Sequence, residues 1–106
     1  MTPRFQFLPA ADKDLDDQAD YLAREASIDT ALRFYDAART TCAKLAGMPN
    51  IGAPRQSVKS RLEGIRVWRI EGYENHLIFY RSIEGGIEII RILHAARDID
   101  RILHTE

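Results

Sequence analysis

Between Ile65 and His94 the chain has room for hairpins and for nothing else. Three alternating apolar segments, "IRVWRI" (65–70), "HLIFYR" (76–81) and "IEIIRILH" (87–94), are separated only by "EGYEN" and "SIEGG". A parallel crossover takes a dozen residues or more, so strands this close pair as an antiparallel meander. Strand side chains alternate between faces, so the turns also set which residues share a face. We centre the first hairpin on Tyr73 and give the second a three-residue loop, Glu84–Gly85–Gly86. One face then reads Arg66–Tyr80–Ile90, Trp68–Ile78–Ile92 and Ile70–His76–His94. The other reads Ile65–Arg81–Ile89, Val67–Phe79–Arg91 and Arg69–Leu77–Leu93. A two-residue second loop would shift the last strand and spoil this register.

The first half reads as helical. "RFQFL" alternates at Phe5 and Phe7 and predicts a short strand that Pro9 ends. In "AADKDLDDQADYLAREA", Leu15, Ala19, Leu22 and Ala26 fall on one helical stripe. Asp12, Asp14, Asp16 and Asp17 load its first turns with the charge a helix N-terminus favours. "SID" breaks the helix, with Asp29 as N-cap of a second one running to about Ala46. Ala31, Phe34, Tyr35, Ala38, Cys42 and Leu45 line its buried face, which makes Cys42 a small core residue. Gly47 fits the C′ position and Pro49 stops any continuation. The break is short enough for an antiparallel helical hairpin. "GMPNIGAPRQSVKSRLEG" is a connecting loop, and "ARDIDRILHTE" a short last helix or a tail that folds onto a partner. The expected fold class is α+β, a strand, a helical hairpin and a three-strand antiparallel meander (βααβββ) with a short C-terminal helix or tail. Residues 1–106 form one domain.

Composition narrows the function classes. No apolar run is long enough to span a bilayer and the start lacks a signal peptide's apolar region, so no membrane is expected and the reading is cytoplasmic. A lone cysteine agrees with that compartment. A net charge of −1 argues against direct DNA binding by the chain alone. Charge is uneven, however. Residues 1–50 hold six basic and eight acidic side chains, while 51–81 hold six basic (Arg55, Lys59, Arg61, Arg66, Arg69, Arg81) and three acidic. Arginines outnumber lysines twelve to three, which suits planar contacts with carboxylates or phosphates. There is no Gly-rich phosphate loop and no Cys/His metal spacing, so neither a cofactor nor a metal is implied.

The two sheet faces differ. The first, with Trp68 and the isoleucines, suits packing against the helical hairpin. The second sets two apolar residues and one arginine in every row, where a solvated face would be polar. Such a face is either a protein-binding surface or one that the terminal segment covers. Its members are Ile65, Val67, Arg69, Leu77, Phe79, Arg81, Ile89, Arg91 and Leu93.

The order strand, helical hairpin, Pro/Gly loop and meander resembles the ParE branch of the RelE/ParE toxin superfamily, from bacterial type II toxin–antitoxin systems. The resemblance spans nearly the whole chain. It is carried by "ALRF" (31–34), Pro49, Gly52 and Pro54–Arg55, "GIR" (64–66), "IFYR" (78–81) and "RILH" (91–94) running into Arg97–Asp98. It implies a toxin neutralised by a cognate antitoxin in a hetero-oligomer. The nine residues of the second face would then be antitoxin-binding. The implied target of the ParE branch is DNA gyrase, acted on by binding without catalytic residues. Arg97 and Arg101 would belong to a basic target-binding region, although Asp98 and Arg97 also read simply as the start of the last helix.

Relatives in the RelE branch are instead endoribonucleases acting on mRNA at the ribosome. That chemistry needs a base, an acid and cations on the phosphorus oxygens. His94 would be acid or base, Arg66 and Arg81 would hold phosphate and Glu63 would be a base. No tyrosine follows Tyr80 and lysine is scarce, both departures from the ribonuclease pattern. We therefore expect a binder in which His94 is structural. A third reading is a relative that has lost toxicity and only binds antitoxin.

Overall fold

The computed structural model describes residues 2–55 and 63–104. Its elements are β1 (Arg4–Phe7), α1 (Pro9–Glu25), α2 (Ile28–Gly47), β2 (Ala53–Pro54), β3 (Arg66–Ile70), β4 (Tyr73–Ile83), β5 (Gly86–His94) and α3 (Ile99–His104). Lys59 and Arg61, part of the predicted loop, lie outside the described residues.

Pro9 opens α1, where its fixed φ is already helical and its missing N–H is no loss. The cap of α2 is Ser27, not the expected Asp29. Its hydroxyl accepts from Thr30 N–H at 3.0 Å, and Asp29 falls inside the first turn. Gly47 is the last helical residue and the chain turns at Met48.

The strands form one sheet in the order β1-β5-β4-β3-β2. The meander is antiparallel as expected, but the sheet is mixed. The helical hairpin carries the chain back across the sheet, so β1 joins β5 in parallel, Phe5 beside Ile87 and Phe7 beside Ile89. The two residues of β2, read as loop, pair with Arg66 and Val67. Pro54 is tolerated there because the strand is an edge.

The second hairpin turns on two residues, Glu84 and Gly85, with Ile83 facing Gly86. Gly85 sits at φ 82°, which favours glycine. The predicted register should then fail, yet it holds from His76↔His94 through Phe79↔Arg91. A bulge at Ile90 absorbs the missing residue. Beyond it, Tyr80 faces Ile89 rather than Ile90, and Arg81 faces Glu88 rather than Ile89. The bulge thus moves Ile89 off the second face and Ile90 onto it. In the first hairpin the register is as predicted from Arg66↔Tyr80 to Arg69↔Leu77. It then shifts, and Ile70 faces Tyr73 instead of His76.

The hairpin packs on one face of the sheet. Ala11, Leu15, Phe34, Ala38, Cys42 and Leu45 meet Ile70, Ile78, Tyr80, Ile87, Ile89 and Ile92 in the main core. Ala19, Leu22, Tyr35 and Trp68 border it, while Ala26 lies past α1 and is exposed. Burial pushes the Cys42 thiol up to about 12, partly offset by Arg39, so it is a packed thiol and not a nucleophile.

Helix α1 also seals an edge. The pairing of β1 with β5 ends at Ile89. Past it, Asp14 Oδ2 accepts from Ile92 N–H at 3.0 Å and Gln18 Nε2 donates to the Ile92 carbonyl at 2.8 Å. Two side chains one helical turn apart thus stand in for a missing strand.

Candidate partner-binding surface

The second sheet face is divided. Ile65, Phe79, Ile90 and Leu93 form a buried floor, with Leu8, Val67 and Leu77 at its margin. Helix α3 covers this floor through Ile99, Ile102 and Leu103. Asp98 starts that helix by accepting from Arg101 N–H at 3.3 Å. Towards the β4–β5 turn the neighbours become polar, with Arg81 Nε donating to Glu88 Oε1 at 3.0 Å.

The nine expected antitoxin-binding residues therefore have different surroundings. Ile65, Phe79 and Leu93 are buried beneath α3, Val67 and Leu77 are half-buried, and Ile89 lies in the main core. The three arginines are engaged within the chain. Arg69 pairs loosely with Glu74 at 3.8 Å and lies 4.9 Å from the Trp68 ring centroid. Arg81 pairs with Glu88. Arg91 makes a two-pronged pair with Asp14, Nε to Oδ2 at 2.7 Å and Nη2 to Oδ1 at 2.8 Å. That pair is 16% and 13% exposed, so it belongs to the seal between α1 and β5.

At the sequence level Arg55 belongs to a basic stretch and to the Pro54–Arg55 pair of the resemblance. Its guanidinium lies 5.6 Å from the centre of the Phe79 ring and bonds the Asp100 carboxylate of α3. Nothing at sequence level marked this pairing, since the two residues are far apart in the chain. Arg97 and Arg101, expected to contact a target, have exposed side chains on the α3 side of the molecule.

Two members of the ribonuclease set, Arg66 and His94, are not brought together. Arg66 lies beside Tyr80 and His94 beside His76, four residues apart along β4, or about 13 Å at ~3.3 Å per residue. Arg66 Nη1 donates to the carbonyls of Gly52 at 2.7 Å and Asn50 at 3.3 Å. Arg81 holds Glu88, and Glu63 is exposed in the turn before β3. His94 Nδ1 accepts from Ala96 N–H at 3.0 Å, which fixes the turn into α3. Its ring meets His76 edge-on at 5.2 Å. His76 in turn shares a 2.8 Å bond with Gln18 Oε1. Burial, and secondarily the His94 neighbour, lower its pKa below 6.5. Among the described residues, no three His, Cys, Asp or Glu side chains are placed to hold a metal ion. No helix among them is long and apolar enough to cross a membrane.

The "MPNIGAPR" stretch is architectural. The Tyr80 hydroxyl donates to the Pro49 carbonyl at 2.8 Å and accepts from Gly52 N–H at 2.9 Å. A Cβ on Gly52 would lie 2.3 Å from that hydroxyl oxygen, so only glycine fits. Tyr80 and Arg66 together clamp the loop onto the sheet.

This fold is similar to that of a solved structure described as "Chromosomal ParDE TA system from P. aeruginosa". The two align with a TM-score of 0.67 at 22% identity, over 88% of this chain and 96% of that one. Within that fold class the family is specific. The model of the ParE toxin of type II toxin–antitoxin systems (parDE) matches residues 5–99, and the chain belongs to that family. No curated protein matches it.

Proposed function

We propose that this chain is a toxin that arrests growth by binding and poisoning DNA gyrase in the cytoplasm, and that a cognate antitoxin neutralises it by direct binding. Family membership supports the toxin reading. The observation that favours binding over catalysis is the dispersal of the ribonuclease candidates. Arg66, Arg81 and His94 each serve a local structural bond, and Arg66 and His94 lie at separate rows of the sheet. An acid, a base and a phosphate clamp must converge on one reacting group, and the separation of Arg66 from His94 along β4 supports the binding reading.

The test is pulse-labelling after induced expression without antitoxin. Thymidine incorporation should fall in the first minutes while methionine incorporation continues. An early collapse of methionine incorporation would instead favour the ribosome-dependent endoribonuclease. No change in either would leave an antitoxin-binding relative without a poison. In the same assay His94→Ala should retain toxicity apart from any loss of stability.

A further inference from the structure

The turn from β5 into α3 is held by hydrogen bonds, because Ala95–Asp98 are all exposed and add little packing. Ala95 N–H donates to the Asn75 carbonyl at 2.7 Å and Arg97 N–H to the His94 carbonyl at 3.0 Å. Ala96 N–H donates to His94 Nδ1 at 3.0 Å, and this bond depends on an ionisable ring. Nδ1 accepts while it carries no proton, so the bond requires a neutral His94 protonated on Nε2. His76, directly opposite on β4, is set the other way round. Gln18 donates its amide to the Ile92 carbonyl, which leaves its Oε1 to accept from His76 Nδ1–H at 2.8 Å. His76 can take a second proton on Nε2 and keep that bond. His94 cannot take its second proton without losing Ala96.

We propose that His76 and His94 form a proton-operated latch on the turn into α3, shut while both rings are neutral and opened when His94 takes up a proton on Nδ1. The ring centroids are 5.2 Å apart, and two charges that close oppose each other, so the pair charges in two steps. Burial, and secondarily the His94 neighbour, keep His76 neutral to lower pH than usual, which leaves the first proton to His94. Other groups around the pair do not cancel this effect. Phe34 of α2 and Tyr73 of β4 meet the His76 ring edge-on. On α1, Asp14 is paired with Arg91 of β5, and Tyr21 is exposed. Glu74 of β4 is exposed and pairs loosely with Arg69, and Arg97, Asp98 and His104 are exposed. The latch is therefore shut in the alkaline direction and opens as pH falls. Helix α3 has six residues, of which Leu103 alone is buried, so its protection follows the state of the turn.

The test is an NMR titration of the full chain from about pH 8 to about pH 5, the range in which histidines change charge, following the imidazole rings and the Ala96 amide. At the upper end, long-range proton–nitrogen spectra should show His94 protonated on Nε2 and His76 on Nδ1. As pH falls, the Ala96 amide shift should track the His94 ring. The Arg101–Leu103 amides should then exchange faster than their intrinsic pH dependence allows. His94→Asn keeps a side-chain acceptor for Ala96 N–H but removes the titrating ring. In that variant the Ala96 shift should stay flat, and His76 should titrate at higher pH because its charged neighbour is gone. His76→Asn leaves the acceptor in place, so Ala96 should still titrate. An Ala96 amide that ignores pH in the native chain would overturn the proposal. So would an equal titration in His94→Asn, which would assign the movement to Asp98 or His104.

Discussion

Arg91 shows what a single side chain's partner does to its meaning. By alternation it belongs to an apolar, arginine-bearing face, and a charge reversal there should test that face. Its two bonds to the half-buried Asp14, whose Oδ2 also holds Ile92 N–H, make it part of the α1–β5 seal as well. Arg91→Glu should thus act on stability, costing roughly 3–5 kcal/mol in urea unfolding because it leaves a poorly solvated carboxylate beside a like charge. Exchanging the two residues, Arg91→Asp with Asp14→Arg, should recover part of the loss. Tyr80 supports a comparable prediction. Tyr80→Phe removes the donor to Pro49 and leaves Gly52 N–H unpaired, at a cost of about 1–3 kcal/mol. Gly52→Ala should cost a similar amount by forcing the ring aside. A Tyr80→Phe, Gly52→Ala double variant measured by urea unfolding should lose less than the two single costs together, since both act on one contact.

At the scale of elements, the helices and strands were legible because their periodicities are long and uninterrupted. What escaped was whatever depends on a contact distant in sequence. The bulge at Ile90 lies within a run of isoleucines whose alternation gives no hint of it. A wrong loop length and an unseen bulge offset each other, so the rows from His76 to Phe79 came out right while Ile89 and Ile90 were exchanged. Asp14 reads as helix-dipole charge until Ile92 is placed beside it, and Arg55 as solvated charge until Asp100 is. The covering of the second face was one of two open readings. For α3, ordering six residues costs roughly 9 kcal/mol at ~1.5 per residue. Burying Leu103 and about half of Ile99 and Ile102 returns about 4–6 kcal/mol, which offsets much of that cost. Where α1 meets the sheet, pH enters through His76. Its pKa is lowered in the folded chain, so folding favours the neutral ring. This contribution is constant above the ordinary value of 6.5 and stability declines as pH falls below it. The urea midpoint should therefore drop between about pH 7.5 and pH 5.5, and His76→Asn should shrink that drop. An equal drop in the variant would assign the effect to other groups.

For the whole molecule, three residues of the ribonuclease reading each make a local bond within the fold. Arg66 clamps the Pro/Gly loop, Arg81 pairs with Glu88, and His94 sets the turn into α3. Arg97 and Arg101 are exposed on the outer side of α3. The proposed gyrase target makes the binding reading directly measurable. Purified chain, gyrase, ATP and supercoiled plasmid should yield linear DNA after detergent and protease treatment, in proportion to added chain and only when gyrase is present. Unchanged plasmid in that reaction, together with cleaved mRNA in a translating extract, would contradict the account and return His94 to the centre of the mechanism.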